Sequence, residues 1–369
     1  MECVKISDIT KSVCTGLNPR KNFTLNTKDA NNYYVTVKEI TSNKVVFSES
    51  TDKVNDDGLK IIQNRSHLEK GDVLFSGIGT IGKVAYIDFD TNNWNCSESV
   101  FILKPNDRIL GSFLFYVLQS QDVVRQYEAN SAGSIMKGVR KSTLVNITFP
   151  LPPLAMQKEI VEILDTFTGM IDNLQKELEQ RQKQFEYYRK SLLCKKDGTA
   201  QKVKEFAELK AGKAIKASEL SETQDKSHLF PCFGGNGIRG YIEKKSHFGD
   251  YAIIGRQGAL CGCVNWAQNY FYATEHAVVV TPKGQNNSRF LYYLFCEADL
   301  NQYKSQGAQP GLAVTNLNEL QYYIPSLDKQ QEIVDKLDTF EALISNIKQE
   351  IELRQKQYEY YREKLLTFE

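Results

Sequence analysis

The feature that most constrains this chain of 369 residues is one long segment that occurs twice. The first copy runs from Gln157-Lys-Glu-Ile-Val-Glu-Ile-Leu-Asp-Thr-Phe to Phe185-Glu-Tyr-Tyr-Arg-Lys-Ser-Leu-Leu193. The second runs from Gln330-Gln-Glu-Ile-Val-Asp-Lys-Leu-Asp-Thr-Phe to Tyr358-Glu-Tyr-Tyr-Arg-Glu-Lys-Leu-Leu366. They align without a gap, with about 22 identities in about 37 positions, far beyond what composition gives. Apolar residues in the first copy fall at Ile160, Leu164, Phe167, Ile171, Leu174 and Leu178, then Phe185, Tyr188 and Leu192. In the second they fall at Ile333, Leu337, Phe340, Ile344, Ile347 and Ile351, then Tyr358, Tyr361 and Leu365. Steps of four and three alternate, the period of a coiled-coil seam. Each copy therefore predicts a helix of roughly 55 Å. One helix cannot bury such a seam alone, so the copies are expected to pair with each other; two separate surface helices are the alternative. Arg181 and Arg354 interrupt the seam at the same place and are expected to snorkel or to meet a carboxylate.

The rest of the chain is also duplicated, more loosely. Val4-Lys-Ile-Ser-Asp-Ile-Thr opens one block and Val203-Lys-Glu-Phe-Ala-Glu-Leu another. Glu69-Lys-Gly-Asp-Val-Leu-Phe, Ser76-Gly-Ile-Gly-Thr-Ile-Gly-Lys and Val84-Ala-Tyr-Ile read as strand, glycine-rich turn and strand. Gly249-Asp-Tyr-Ala-Ile-Ile, Gly255-Arg-Gln-Gly-Ala-Leu-Cys-Gly and Cys263-Val-Asn-Trp repeat that logic. Cys96-Ser-Glu-Ser-Val-Phe-Ile-Leu corresponds to Ala273-Thr-Glu-His-Ala-Val-Val-Val, and the segment ending Lys137-Gly-Val to Gln306-Gly-Ala-Gln-Pro-Gly-Leu. A helix is expected over 111–127 with a counterpart at Phe290-Leu-Tyr-Tyr-Leu-Phe, and Val145-Asn-Ile-Thr-Phe reads as a closing strand. Pro150-Leu-Pro-Pro stops the first block, and Lys195-Lys-Asp-Gly-Thr-Ala-Gln-Lys reads as a polar linker. The helical copies are near-identical while the blocks share only a skeleton. A duplicated scaffold with diverged heads suggests two different recognition surfaces at a fixed separation.

Chemistry-bearing motifs are few. Gly77-Ile-Gly-Thr-Ile-Gly82 matches a dinucleotide-loop spacing, and Phe75-Ser-Gly-Ile-Gly a methyltransferase cofactor loop, but both need a following helix. Here β-type sequence follows, so a tight turn is expected. The amino-methyltransferase tetrapeptide, paired nuclease carboxylates with Lys, and a phosphate-cradling Gly-Lys-Ser/Thr loop are not found. Cys232, Cys261, Cys263 and His276 lack a zinc-knuckle spacing, and buried thiols with a structural His are the expected reading. No metal site and no catalytic residue is assigned.

With 46 basic and 45 acidic residues and a net charge of +1, nucleic-acid binding must rest on local patches or on partner subunits. Candidate positions lie in loops mixing Gly, cations and amides. They are Arg20, Lys21, Ser76, Thr80, Lys83, Lys137, Arg140, Lys141, Lys213, Lys216, Asn236, Arg239, Arg256, Gln257, Gln306 and Gln309. Arg pairs bidentately with guanine and Gln or Asn with adenine, while Lys mainly meets phosphate. For any one of them an ordinary solvated surface role is the alternative. No apolar run approaches the roughly 18 residues of a membrane span. The N-terminus has no signal-peptide pattern, and eight cysteines without framework spacing suit a reducing, cytoplasmic setting.

Taken together the arrangement resembles the specificity (S) subunit of a type I restriction–modification system, over the whole chain. The likeness is carried by Lys70-Gly-Asp-Val-Leu-Phe-Ser with its Gly-Thr-Ile-Gly turn and by Phe230-Pro-Cys-Phe-Gly-Gly-Asn-Gly-Ile-Arg-Gly-Tyr241. Further carriers are Ile254-Gly-Arg-Gln-Gly-Ala-Leu-Cys-Gly, Tyr272-Ala-Thr-Glu-His-Ala-Val-Val-Val and the Leu-Pro-Pro-Leu-x-x-Gln-x-Glu-Ile junction at 151–160. The second junction departs from the pattern by carrying Ser326 for the second Pro. The resemblance implies an α+β fold: two duplicated α/β target recognition domains and two long helices packed as an antiparallel coiled coil, in a pseudo-two-fold arrangement. It implies recognition domain 1 at 1–152, the first long helix and linker at 153–199, recognition domain 2 at 200–325 and the second long helix at 326–369. It further implies a non-catalytic subunit that reads bipartite double-stranded DNA, with the helices setting the unread spacer. Methyltransferase (M) subunits would carry the adenosylmethionine and restriction (R) subunits the ATP chemistry, and no cofactor is expected on this chain. A self-sufficient methyltransferase or nuclease, and a scaffold with no DNA role, are the competing classes.

Overall fold

The computed structural model describes residues 1–20, 22–129, 138–306 and 310–367. The candidates Lys21, Lys137 and Gln309 lie outside the described residues. Both heptad segments are continuous helices of 40 residues, Leu154–Leu193 and Leu327–Leu366, each about 60 Å long. By contacts the chain forms two units, Met1–Leu174 with Glu350–Glu369 and Gln175–Gln349. Each unit thus holds the N-terminal part of one long helix and the C-terminal part of the other, so the pairing is antiparallel.

The pairing repeats with the roles of the helices exchanged. In the first unit Phe167 stacks on Tyr361 at 5.3 Å between centroids. In the second, their counterparts Phe340 and Tyr188 stack at 5.2 Å. Ile160, Leu164 and Ile171 are buried in the first unit's core, and Ile333, Leu337 and Ile347 are buried in the second unit. Phe167, Leu174, Leu178, Phe340, Ile344 and Ile351 are half-buried, so the seam expected from the heptads is the covered face of each helix. Arg181 reaches back to Glu177 at 3.3 Å and forward to Gln184 at 3.1 Å. Arg354 does the same with Glu350 at 2.8 Å and Gln357 at 2.9 Å. Both seam arginines therefore meet carboxylates one turn back on their own helices.

Each unit is built on a four-stranded antiparallel sheet. In the first the spatial order is Thr10–Thr15, Val100–Pro105, Val73–Ser76, Val84–Tyr86. In the second it is Ala207–Ala211, Ala277–Pro282, Tyr251–Gly255, Val264–Ala267. Successive strand residues face opposite sides, and here both sides are covered. Val73, Phe75 and Leu103 pack with helix Gly111–Val117 and the long helices, while Leu74 and Ile102 pack with Val35 and Trp94. Ala252, Ile254 and Val280 play the first part in the second unit, and Ile253 and Val279 the other. That explains the near-continuous apolar runs in these strands.

A second sheet, of three strands in the first unit and four in the second, contains one parallel pair in each: Asn32–Val35 with Trp94–Cys96, and Phe230–Gly234 with Tyr270–Ala273. A two-stranded ribbon closes each block, Glu2–Lys5 with Thr148–Leu151 and Thr199–Lys202 with Gln321–Ile324. The glutamine that opens each helical repeat ties it to its block. Gln157 accepts from the Leu110 N–H at 2.9 Å and donates to the Pro152 carbonyl at 2.9 Å. Gln330 accepts from the Asn287 N–H at 2.8 Å and donates to the Pro325 carbonyl at 2.9 Å. These buried amides are fully used, as buried polar groups must be.

Three local expectations need correction. The helix expected over 111–127 is two helices, Gly111–Val117 and Gln121–Ala129, because the Ser120 hydroxyl caps back onto the Val117 carbonyl at 2.8 Å. The closing strand starts later, at Thr148; Lys141–Val145 is a short helix. The linker at 195–202 contributes strand Thr199–Lys202, whose partner lies more than a hundred residues away in sequence. No helix among the described residues is long and apolar enough to cross a membrane.

Candidate nucleic-acid interface

In each unit the turn between the third and fourth sheet strands carries the candidate residues. In the first unit, the Ser76 N–H donates to the Lys83 carbonyl at 2.9 Å, and the Gly82 N–H to the Ser76 carbonyl at 3.1 Å. Gly79 and Gly82 adopt φ of +84° and +83°, a conformation that favours glycine. The strand Val84–Tyr86 follows directly, so this is a β-turn and not the strand-to-helix loop a dinucleotide site needs. Ser76 is buried. Its hydroxyl donates to the Thr80 carbonyl at 2.6 Å and accepts from the Lys83 N–H at 2.8 Å. Lys83 sends its ammonium to the Val37 carbonyl at 2.9 Å. Those two candidates are engaged in holding the turn. Thr80 is exposed at the tip beside Ile78, which is 49% exposed.

A second loop pairs with the turn. The Val139 N–H donates to the Gly77 carbonyl at 2.8 Å, and Ile78 forms a bridge with Gly138. This brings the exposed Arg140 and Lys141 to the start of helix Lys141–Val145, on the segment that borders the turn. Arg20 is exposed in a separate tight turn, where the Asn22 N–H donates to the Pro19 carbonyl at 2.6 Å. The structure thus brings Thr80, Arg140 and Lys141 onto paired segments, while Arg20 stands in a turn of its own.

The second unit repeats the same hydrogen bonds on different side chains. The Gly255 N–H donates to the Cys263 carbonyl at 2.9 Å, and the Gly262 N–H to the Gly255 carbonyl at 2.7 Å. The Leu312 N–H donates to the Arg256 carbonyl at 2.8 Å, and Gln257 bridges Gly311. The Arg256 N–H donates to the His276 carbonyl at 2.9 Å, as the Gly77 N–H does to the Ser99 carbonyl at 2.9 Å. Position by position, Gly77 and Ile78 are therefore matched by Arg256 and Gln257, and Glu98 and Ser99 by Glu275 and His276.

The hairpin Phe230–Ile242 adds a third loop. A Cβ on Gly255 would stand 1.9 Å from the Gly235 carbonyl oxygen, and one on Gly235 would stand 2.6 Å from that of Gln257. Only glycine permits such approach of two backbones. It places the exposed Asn236 next in sequence to a residue that touches the Gln257 backbone, with the exposed Arg239 on the following strand. Lys213 follows Gly212, which packs on the Ala273 carbonyl, and its N–H donates to that carbonyl at 3.1 Å. Lys216 is exposed, and its backbone N–H caps onto Glu219 at 3.2 Å. Gln306 is exposed, next to Ser305, whose N–H donates to the Gly311 carbonyl at 2.9 Å.

Sequence reasoning missed Glu275 and His276 as members of this cluster. The signal was the matched pair Cys96–Leu103 and Ala273–Val280, in which the variable positions are the informative ones. Of the cysteines near His276, Cys232 and Cys261 are buried, and the Cys263 thiol lies 3.4 Å from the Gly235 carbonyl. Burial pushes the Cys232 thiol up to about 11, so it is held as a neutral thiol. Among the described residues no group of three metal-ligating side chains comes together.

Comparison with known proteins decides the family. The model of the type I restriction modification DNA specificity domain matches residues 1–181 and again 196–353. The chain belongs to that family. It is 44% identical over 206 residues to the EcoprrI type I restriction enzyme specificity subunit of Escherichia coli, covering 54% of this chain and 51% of that subunit. The match thus spans about half the length of that relative. A putative type I specificity subunit of Mycoplasma pneumoniae is 29% identical over 304 residues, covering 78% of this chain and 82% of the relative. The fold is that of the S subunit crystal structure from M. genitalium, with a TM-score of 0.64 at 17% identity over 100% of this chain and 96% of that one. A chain from a structure described as showing complex assembly and conformational transition of the type I R-M system matches at TM-score 0.60 and 16% identity, over 99% and 97%. The chain thus carries two copies of the specificity domain.

Proposed function

We propose that this chain is the non-catalytic DNA-specificity subunit of a cytoplasmic type I restriction–modification complex. Each block reads one half of a bipartite double-stranded site, and the paired long helices fix the length of the unread spacer. The observation that carries this reading is the repeated turn. One backbone framework holds Gly77 and Ile78 in one block but Arg256 and Gln257 in the other. A conserved function such as catalysis would repeat the side chains along with the backbone. Reading two different base sequences requires the opposite, since specificity resides in side chains that reach base edges.

Methyltransferase subunits supply adenosylmethionine and the adenine chemistry in this reading, and restriction subunits the ATP-driven steps. The near-neutral charge of the chain fits the arrangement, because phosphate affinity then comes largely from the partners. The test is selection of randomised duplex DNA by the full chain co-purified with its methyltransferase subunit. A motif with two defined halves and an undefined spacer is expected. A single continuous motif, or no enrichment, contradicts the proposal. Methyl transfer by the chain alone would count against its being non-catalytic.

A further inference from the structure

The second block holds unused hydrogen-bonding capacity beside its turn. Arg256 Nε, Glu275 Oε2 and His276 Nδ1 are buried and have no hydrogen-bond partner among the described residues. They are neighbours through the backbone, since the Arg256 N–H donates to the His276 carbonyl at 2.9 Å. The other Glu275 oxygen lies 3.1 Å from His276 Nε2. Buried donors and acceptors left unpaired are costly, and the side chains that carry these are themselves only partly covered, so a ligand that approaches the turn could engage them. In the first block the corresponding carboxylate, Glu98, already accepts from the Asn18 side-chain amide, and glycine replaces the arginine.

The chemistry of the occupant follows from the mixture. A phosphate would be repelled by the Glu275 carboxylate. A lone carboxylate ligand would be repelled in the same way. The major-groove edge of a G·C pair offers what the cluster lacks: two acceptors on guanine, N7 and O6, and one donor on cytosine, the N4 amino group. Resting on the specificity-subunit reading above, we infer that Arg256 and Glu275 form a G·C-reading site in the second block, with no counterpart in the first. Arg256 donates to guanine O6 and N7, Glu275 accepts from cytosine N4, and His276 positions the carboxylate. Gln257 is exposed on the same turn.

The test is motif selection with the full chain and its methyltransferase subunit, comparing wild type with Arg256→Ala, Arg256→Lys, Glu275→Ala and the first-block control Thr80→Ala. Wild type should require G·C at one position that Arg256→Ala releases, lowering discrimination there roughly 10- to 100-fold. Glu275→Ala should relax the same position, and the other half-site should stay unchanged. Arg256→Lys keeps the charge but not the bidentate fork. It should therefore also lose discrimination, whereas a phosphate contact would survive it with the motif intact. A wild-type motif that all three second-block variants preserve overturns the G·C site and leaves the specificity reading standing. A wild type that selects no motif overturns the specificity reading itself. Thermal melting of each variant shows which are folded, and Arg256→Lys keeps the inference open to refutation should Arg256→Ala unfold.

Discussion

The two turns, Gly77–Gly82 and Arg256–Gly262, share their backbone hydrogen bonds and differ in nearly every side chain that points outward. The two long helices show the reverse: their side chains match, and so do their contacts, down to the stacking of Phe167 on Tyr361 and Phe340 on Tyr188. The contrast separates what a duplicated protein must keep from what it is free to change. A helix seam is constrained by its partner, because packing at close-packed density punishes any change of volume. A turn tip is constrained only through its backbone, so glycines and ladder bonds persist while the tips diverge.

The largest effects should come from breaking the equivalence in the seam. Leu164 and Leu337 occupy matching places and are both 0% exposed. Leu164→Ala and Leu337→Ala should each cost about 3 kcal/mol, within the 2–5 kcal/mol range for buried leucines. Urea unfolding checks this; a near-neutral result for one of them would show that the two units do not pack alike. Next comes a contact the second unit has alone. Arg289 pairs with Asp338 at 2.8 Å and with Glu341, and it lies over the rings of Trp266, Tyr292 and Tyr293. Its side chain is 19% exposed, and Ser112 holds the matching place in the first unit. Arg289→Ala should cost about 1–2 kcal/mol, less than a fully buried pair because both carboxylates are partly solvated. Hydrogen exchange should place the loss in the second unit and leave the first unit's protection unchanged.

A smaller difference concerns acid. Hydrogen bonds from Lys202 and Lys204 lower the Glu319 carboxyl to about 2, and those from Lys329 and Lys336 do the same for Glu332. A carboxylate with a depressed folded pKa contributes stability above the unfolded value of about 4.3 and loses it as pH falls towards 2. Both groups belong to the second unit and are exposed, so the effect is modest. Unfolding midpoints at pH 7 and pH 3 should show Glu319→Gln nearer to wild type at the lower pH. Least of all should Arg181→Ala and Arg354→Ala matter, at about 0.3–0.5 kcal/mol each by denaturant melts, because both pair along their own half-exposed helix surfaces. A loss several times larger would mean that the arginines hold the helices in register.

The helices were legible because a heptad repeat needs no tertiary context: Ile160 to Leu178 and Ile333 to Ile351 declare their own face. The β skeleton was legible through glycine spacing and through the repeat itself. What escaped depends on distant partners. Nothing near Thr199–Lys202 marks it as a strand, since its pairing with Gln321–Ile324 closes a whole block. Lys83 looks like an available cation in sequence, yet the Val37 carbonyl takes its ammonium across 46 positions. Ser76 likewise spends both its donor and its acceptor inside the turn. The mixed cluster of Arg256, Glu275 and His276 was half visible. Arg256 stood out as a cation in a glycine turn, while Glu275 and His276 gained meaning only once the ladder placed them against it.

The most direct test of the central claim is exchange of residues 200–325 for the corresponding block of a relative, followed by methylation mapping in a host that carries the methyltransferase subunit proposed as its partner. One half of the recognised site should change while the other half and the spacer stay as they were. A site altered in both halves, or in neither, would contradict the account.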